Sequence, residues 1–218
     1  GQSDVMRSPA RFLGAIAGTG GGKTALGPIW LAVQIREQPG QAWLVVAPTY
    51  KILSRATIPA LLATFSDSDL RGRYMPSRNV YLLPGHGDDD TKNIIYFVSA
   101  DNPLGLEGGQ YAGAWIDEGG QISMRAWVAI QGRLGLHEGR CLITTTPYNL
   151  GWLKTQFFDR YRKGDPDYYV RQWDSTANPA YPRDEFERAK RTMGKQRFRM
   201  RYCGQFERGV GLVYPDLE

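Results

Sequence analysis

Residues 16–24 read IAGTGGGKT, a run of glycines closed by Lys23 and Thr24. Glycines let successive backbone N–H groups turn inward around phosphate oxygens, and a helix starting at the lysine adds the positive end of its dipole. On this reading Gly18, Thr19, Gly20, Gly21, Gly22, Lys23 and Thr24 bind a nucleotide. Lys23 reaches the β- and γ-phosphates, and the Thr24 hydroxyl completes the coordination of Mg²⁺. The strict G-x-x-x-x-G-K-[ST] pattern is missed by one residue, because Ala17 stands five before Gly22. Gly18 follows at once, so the loop reads as a deviant form of that pattern.

A second constellation lies at 112–118, AGAWIDE, an apolar run ending in Asp117 and Glu118. Two carboxylates at the tip of a buried strand are costly unless they meet a cation or donors. On a strand beside the glycine-loop strand, Asp117 can hold the Mg²⁺ and Glu118 can act as general base on the attacking water. A glutamate directly after the aspartate points to hydrolysis, an ATPase rather than a kinase. The third constellation is LITTTP at 142–147. Hydroxyls of Thr144, Thr145 and Thr146 at a strand tip could sense the γ-phosphate and pass its presence on, a coupling role.

These residues need a scaffold. Nearly continuous apolar runs recur at 12–17, 42–47, 93–99, 112–116 and 141–145, the pattern of strands buried on both faces in a parallel sheet covered by helices. Apolar residues at helical spacing predict helices over 23–37, 51–65, 123–134, 150–163 and 183–202. The fold class is therefore α/β. The stretch 66–90 is rich in Ser, Gly, Pro and Asp and reads as a surface excursion with a β-hairpin. Its Asp88-Asp89-Asp90 run reads as a solvated turn, not a metal site. After Trp173 the texture turns to DSTANPAYP, and no further buried strand is expected.

Composition sets the outer limits. The chain has 218 residues, 42% hydrophobic and 22% charged, with a formal net charge of +5. That excludes a disordered chain and permits a polyanionic partner without requiring one. Cys141 and Cys203 lack the spacing of a zinc site or a disulfide framework. The apolar runs are far short of the roughly 20 residues of a membrane span, so no membrane association is expected.

With Gly1-Gln2, Ala10-Arg11-Phe12, APTYK at 47–51, LEGGQYAGAWIDE at 106–118, TTTPYNLGWL at 144–153, STANPAYP at 175–182 and RYCGQFERGVGLVYPDL at 201–217, the order of motifs resembles the ATPase domain of the large terminase subunit, the DNA-packaging motor of tailed bacteriophages. The resemblance implies an ASCE-type, RecA-like P-loop core over 1–173, a small lid subdomain over 174–208, and the start of a linker to a nuclease domain over 209–218. No nuclease activity is expected of the chain itself. The resemblance also implies ATP and Mg²⁺ as cofactors, and Gln2 at the adenine side. The implied partners are double-stranded DNA, a portal protein, a small terminase subunit and further copies of the chain, arranged as a pentameric ring that is monomeric in isolation. The expected location is the host cytoplasm during virion assembly. A helicase-like translocase and a nucleotide-gated assembly module with little hydrolysis are the alternatives.

In the family an arginine often precedes the Asp-Glu pair in an L-R-G stretch and is proposed to reach a neighbour's γ-phosphate. Here Glu107 stands in that place, and a carboxylate cannot stabilise developing negative charge. Arg133, in QGRLG, is the candidate replacement. Between 183 and 201 lie eight basic and three acidic residues, a face suited to DNA phosphates without base readout.

Overall fold

The computed structural model describes residues 1–89, 91–102, 106 and 108–207. Six strands carry the parallel part of one eight-stranded sheet: β1 (Phe12–Ala17), β2 (Ala42–Ala47), β5 (Ile94–Ser99), β6 (Gly113–Asp117), β7 (Arg140–Thr145) and β8 (Tyr168–Trp173). Residues of β1, β2 and β6 are buried at every position, which is why they read as unbroken apolar runs. The expected hairpin forms from β3 (Arg73–Met75) and β4 (Val80–Leu82), and β4 runs antiparallel to β5.

The strand order is β3-β4-β5-β2-β6-β7-β1-β8. It corrects one expectation: the Asp117 strand is not beside the glycine-loop strand, because β7 lies between them. Asp117 pairs with Thr144, and Thr145 pairs with Ile16. The threonine strand is therefore the spacer across which loop and carboxylates face each other. A second correction is β8, which the sequence reading missed. YYVRQW alternates and is half exposed, as an edge strand is, so it lacks the continuous apolar signal.

Helices cover both faces. On one, α2 (Lys23–Glu37) and α4 (Ile58–Phe65) bury Leu26, Trp30, Leu31, Leu61 and Phe65 against Leu13, Trp43 and Val45. On the other, α5 (Met124–Arg133) and a π-helical turn at Leu153–Phe158 bury Trp127, Ile130 and Phe157 against Phe12, Ile16 and Leu44. Ser123 caps α5, its hydroxyl accepting the Ala126 N–H at 3.1 Å. A short α3 (Tyr50–Ile52) continues through a π-helical turn, Leu53–Thr57, into α4; the turn at 153–158 leads into α6 (Asp159–Arg162). An unanticipated α1 (Gln2–Arg7) is fixed by an Asp4–Arg171 ion pair at 3.1 Å.

The helix expected over 183–202 is two helices, α7 (Arg183–Thr192) and α8 (Lys195–Cys203), broken at Met193-Gly194. They pack through Phe186, Phe198 and Tyr202, with Phe186 and Phe198 ring centroids 5.0 Å apart. Among the described residues no helix is long and apolar enough to cross a membrane.

Candidate active site

In a parallel sheet the loops leaving the carboxyl ends of the strands gather on one edge. Here that edge collects the loop after β1, Asp117 and Glu118 at the end of β6, and Thr144, Thr145 and Thr146 at the end of β7. Gly20 and Gly22 have φ of 74° and 82°, left-handed values that glycine alone adopts freely. Ala17, at the position where the strict motif has glycine, is an ordinary residue of β1, so the departure costs nothing locally.

The loop is held from behind by the C-terminal part of the chain. Gly18 N–H donates to Trp173 O at 3.0 Å, and Thr19 N–H donates to Arg201 O at 2.7 Å. The Ser175 hydroxyl donates to Thr19 O at 2.6 Å, Asn178 Nδ2 to Gly20 O at 2.7 Å, and Trp173 Nε1 to Gly21 O at 2.8 Å. A Cβ at Gly18 would lie 2.1 Å from Tyr202 O. As residues of the first turn of α2, Lys23 and Thr24 have amides without intrahelical acceptors, at the positive end of the helix dipole.

Lys23 is 6% exposed, and its Nζ donates to Gly18 O at 3.0 Å. Burial pushes its pKa below the usual lysine value, while Glu118 and Asp117 pull it back up. Asp117 is 1% exposed. Its Oδ1 accepts the Thr144 hydroxyl at 2.9 Å and the Glu118 N–H at 3.2 Å, and its Oδ2 accepts the Thr57 hydroxyl at 2.8 Å. Burial raises its pKa, and the two hydroxyl donors oppose that rise. Glu118 has φ of 50°, a strained value for a residue with a side chain. Its Oε2 accepts the Tyr148 hydroxyl at 3.0 Å, with Thr145 Oγ1 3.5 Å away. Burial and the Glu118 charge hold the Tyr148 phenol well above its ordinary pKa.

Thr19, Gly20, Gly22, Lys23, Thr24, Glu118, Thr146 and Tyr148 line one cavity of about 340 Å³. Loop, lysine and general-base candidate therefore share a space, and the buried Asp117 is the residue next to Glu118. A profile of the family described as terminase large subunit, T4likevirus-type, N-terminal, matches residues 15–218. The chain belongs to this terminase family. It is similar to the terminase large subunit of Thermus phage G20c, 26% identical over 179 residues that cover 75% of this chain and 36% of that one. It thus spans little more than a third of that relative's length. The fold is similar to the large terminase ATPase domain of Thermus phage P74-26, with a TM-score of 0.76 at 21% identity over 94% of this chain and 92% of that one. It is also similar to the large terminase of another thermophilic bacteriophage in complex with ADP, with a TM-score of 0.80 at 16% identity over 94% of this chain and 52% of that one.

Seen as a terminase domain, the chain has a second cavity of about 430 Å³ on the other side of the glycine loop, lined in part by Gln2, Gly21, Gly22, Trp173 and Asn178. α1 places Gln2 there, its Nε2 donating to Gly22 O at 3.1 Å. Arg133 is not in this assembly. α5 runs back across the sheet, and Arg133 O accepts the Tyr111 N–H at 3.0 Å just before β6 begins. The Arg133 side chain lies at the opposite edge, in a cleft with Lys92 and His137. Glu107 and residues 208–218 lie outside the described residues. Asp89 accepts from Thr91 within its own turn, and that donor pulls its carboxyl down to about 2. Among the described residues no group of three or more His, Cys, Asp or Glu could hold a metal ion.

Sequence reasoning missed Thr57, Tyr148, Ser175 and Trp173 as parts of the site. APTYK, TTTPYNLGWL and STANPAYP drew attention to their neighbourhoods. No spacing in the chain says that a helix threonine and a β6 aspartate meet.

Proposed function

We propose that this chain is the ATP-hydrolysing motor domain of a phage terminase that drives double-stranded DNA into a procapsid. The observation that carries the proposal is the shared cavity, lined by Lys23, Thr24 and Glu118, with the neighbouring Asp117 buried at the end of β6. Thr24 and Asp117 offer a hydroxyl and a carboxylate, hard oxygen donors that suit Mg²⁺. Those two residues would hold Mg²⁺, and the ion would supply neutralisation of the charge that develops on the transferred phosphate.

The chain's own residues do the rest. Lys23 exchanges its bond to Gly18 O for phosphate oxygens, and the amides opening α2 add donors that need no reorganisation. Glu118 takes the proton of the attacking water, with Tyr148 holding the carboxylate until it is needed. Gln2 serves the adenine side. Thr144, Thr145 and Thr146 carry the state of the γ-phosphate toward β1, β6 and the moving parts.

The core is 1–173, and the 174–208 unit is the lid, bonded to the loop through Ser175, Asn178 and Arg201. Double-stranded DNA runs along the basic face of α7 and α8, where Arg188, Lys190 and Arg199 are paired with Glu185, Glu187 and Glu207 and the exposed Arg183, Arg191, Lys195, Arg197 and Arg201 supply the attraction. The ring, the portal protein and the small subunit are the assembly partners, in the host cytoplasm. Arg133 reaches a neighbouring subunit from the far edge of the sheet.

The test is turnover against binding. Glu118→Gln is expected to retain ATP and lose hydrolysis, and Lys23→Ala to lose nucleotide affinity. Normal hydrolysis by Glu118→Gln would remove the general-base role. Wild-type turnover by Arg133→Ala in assembled rings would remove that arginine.

A further inference from the structure

A buried helix threonine ordinarily satisfies its hydroxyl on the carbonyl four residues earlier. Thr64, further along the same helical stretch, does so, donating to Ala60 O at 2.9 Å. Thr57 does not. It closes the π-helical turn Leu53–Thr57, is fully buried, and spends its hydroxyl on Asp117 Oδ2, 60 residues away in sequence. Single π turns inside α-helices are rare and gather at functional sites, because the extra residue re-aims a side chain.

The other donors to Asp117 are Thr144 on β7 and the backbone of Glu118, both on Oδ1. Among the described residues, Thr57 is the only hydrogen-bond donor to this carboxylate from outside the β6–β7 neighbourhood, and the only donor to Oδ2. Without it one oxygen of a buried carboxylate has no fixed partner, and the plane of the group is free to turn.

We propose that Thr57 is a positioning residue for the metal-binding carboxylate: its hydroxyl fixes the orientation in which Asp117 meets Mg²⁺. The inference rests on the reading that Asp117 serves Mg²⁺. It also ties the site to the helical stretch after β2, whose outer face carries the exposed Tyr50, Lys51 and Arg55.

The experiment measures binding of a fluorescent ATP analogue to the chain over a Mg²⁺ titration and again in EDTA. Thr57→Val removes the hydroxyl and keeps the shape, and it is expected to need about 10-fold or more Mg²⁺ for half-saturation, the range typical when a metal ligand loses its supporting hydrogen bond. Its affinity in EDTA stays within about twofold of wild type, and Thr57→Ser restores the Mg²⁺ requirement. Thermal unfolding verifies that Thr57→Val is folded; if it is not, Thr57→Ala is read in the same way. A folded variant without the hydroxyl that keeps the wild-type Mg²⁺ requirement overturns the proposal, as does a Thr57→Ser as impaired as Thr57→Val. Asp117→Asn separates the two layers. An unchanged Mg²⁺ requirement there removes the Asp117 reading itself, and a changed one beside a normal Thr57→Val removes only the role of Thr57.

Discussion

Thr144 and Asp117 are register partners on neighbouring strands, and the hydroxyl of one lies 2.9 Å from Oδ1 of the other. The same hydroxyl oxygen accepts the Trp115 indole N–H at 2.8 Å. Indole, hydroxyl and carboxylate form one buried hydrogen-bonded line, the indole donating to the hydroxyl and the hydroxyl to the carboxylate. Thr144→Val cuts the line twice, stranding the indole N–H and taking a donor from the carboxylate. Each buried polar group left without its partner costs about 1–3 kcal/mol. Urea unfolding of Thr144→Val is expected to give a loss of roughly 2–4 kcal/mol by the same reasoning; a loss under about 0.5 kcal/mol, the size of an ordinary surface change, would mean that the line contributes nothing to stability.

The indole is pinned from its other side as well. A Cβ on Gly27 of α2 would lie 2.0 Å from Trp115 Cε2 and 2.3 Å from Cζ2, so helix and strand approach as closely as they do only because residue 27 has no side chain. Gly27→Ala is expected to cost about 1–3 kcal/mol through overpacking. In a Trp115→Phe background, where the ring is smaller, the same change should cost clearly less. Equal costs in the two backgrounds, read from denaturant midpoints, would rule out the indole as the obstacle.

Gly18 is where the glycine loop meets α8. Its missing Cβ would meet Tyr202 O at 2.1 Å and Ser175 Oγ at 2.5 Å, so Gly18→Ala must push α8 off the glycine loop. Nucleotide affinity should fall by about 10-fold or more, corresponding to roughly 1.4 kcal/mol. Ala17→Gly, which rebuilds the strict motif, should bring no gain in affinity and should cost about 0.5–1 kcal/mol of stability, as glycine does inside a strand. Fluorescent-nucleotide titration and thermal unfolding of both variants check this; tighter binding by Ala17→Gly would show that the deviant loop is a handicap.

What could be read from the chain was what a single segment determines by itself. The parallel strands announced themselves because burial on both faces forces unbroken apolar runs, and α2 because a lysine after three glycines starts a helix. The lysine, the Asp-Glu pair and the threonines were visible for the same reason, each being a local pattern. β8 was hidden because YYVRQW mixes faces, as an edge strand must. α1 was hidden because six largely polar residues are held by Arg171 on Asp4 and by Arg140 on the Ser8 carbonyl, both from far along the chain. The placement of β7 between β1 and β6 was hidden because strand order is settled between segments. Arg133 was read as an arginine at a subunit boundary, and the direction of α5, which sets it at the edge of the sheet away from the chain's own glycine loop, was not visible in the sequence.

The two cysteines offer a probe that needs no activity. Cys141 is fully buried in β7, and burial pushes its thiol far above the ordinary value; Cys203 at the end of α8 is half-buried and raised in the same direction. A raised pKa means less thiolate at any given pH, and the thiolate is the reactive form. In native protein at about pH 8, just below the ordinary cysteine pKa, Ellman's reagent should react slowly at Cys203 and not at Cys141, with the second thiol appearing only in denaturant. Prompt reaction of both would place β7 nearer the surface than the structure does.

β1 is synthesised before the other seven strands, yet both of its neighbours, β7 and β8, belong to the last third of the sheet's sequence, and its loop amides find their acceptors at Trp173 and Arg201. Strands β5, β2 and β6 can pair as soon as residue 117 is available. The glycine loop is written ahead of nearly everything that supports it, and its frame is complete only when Trp173 and Arg201 are in place.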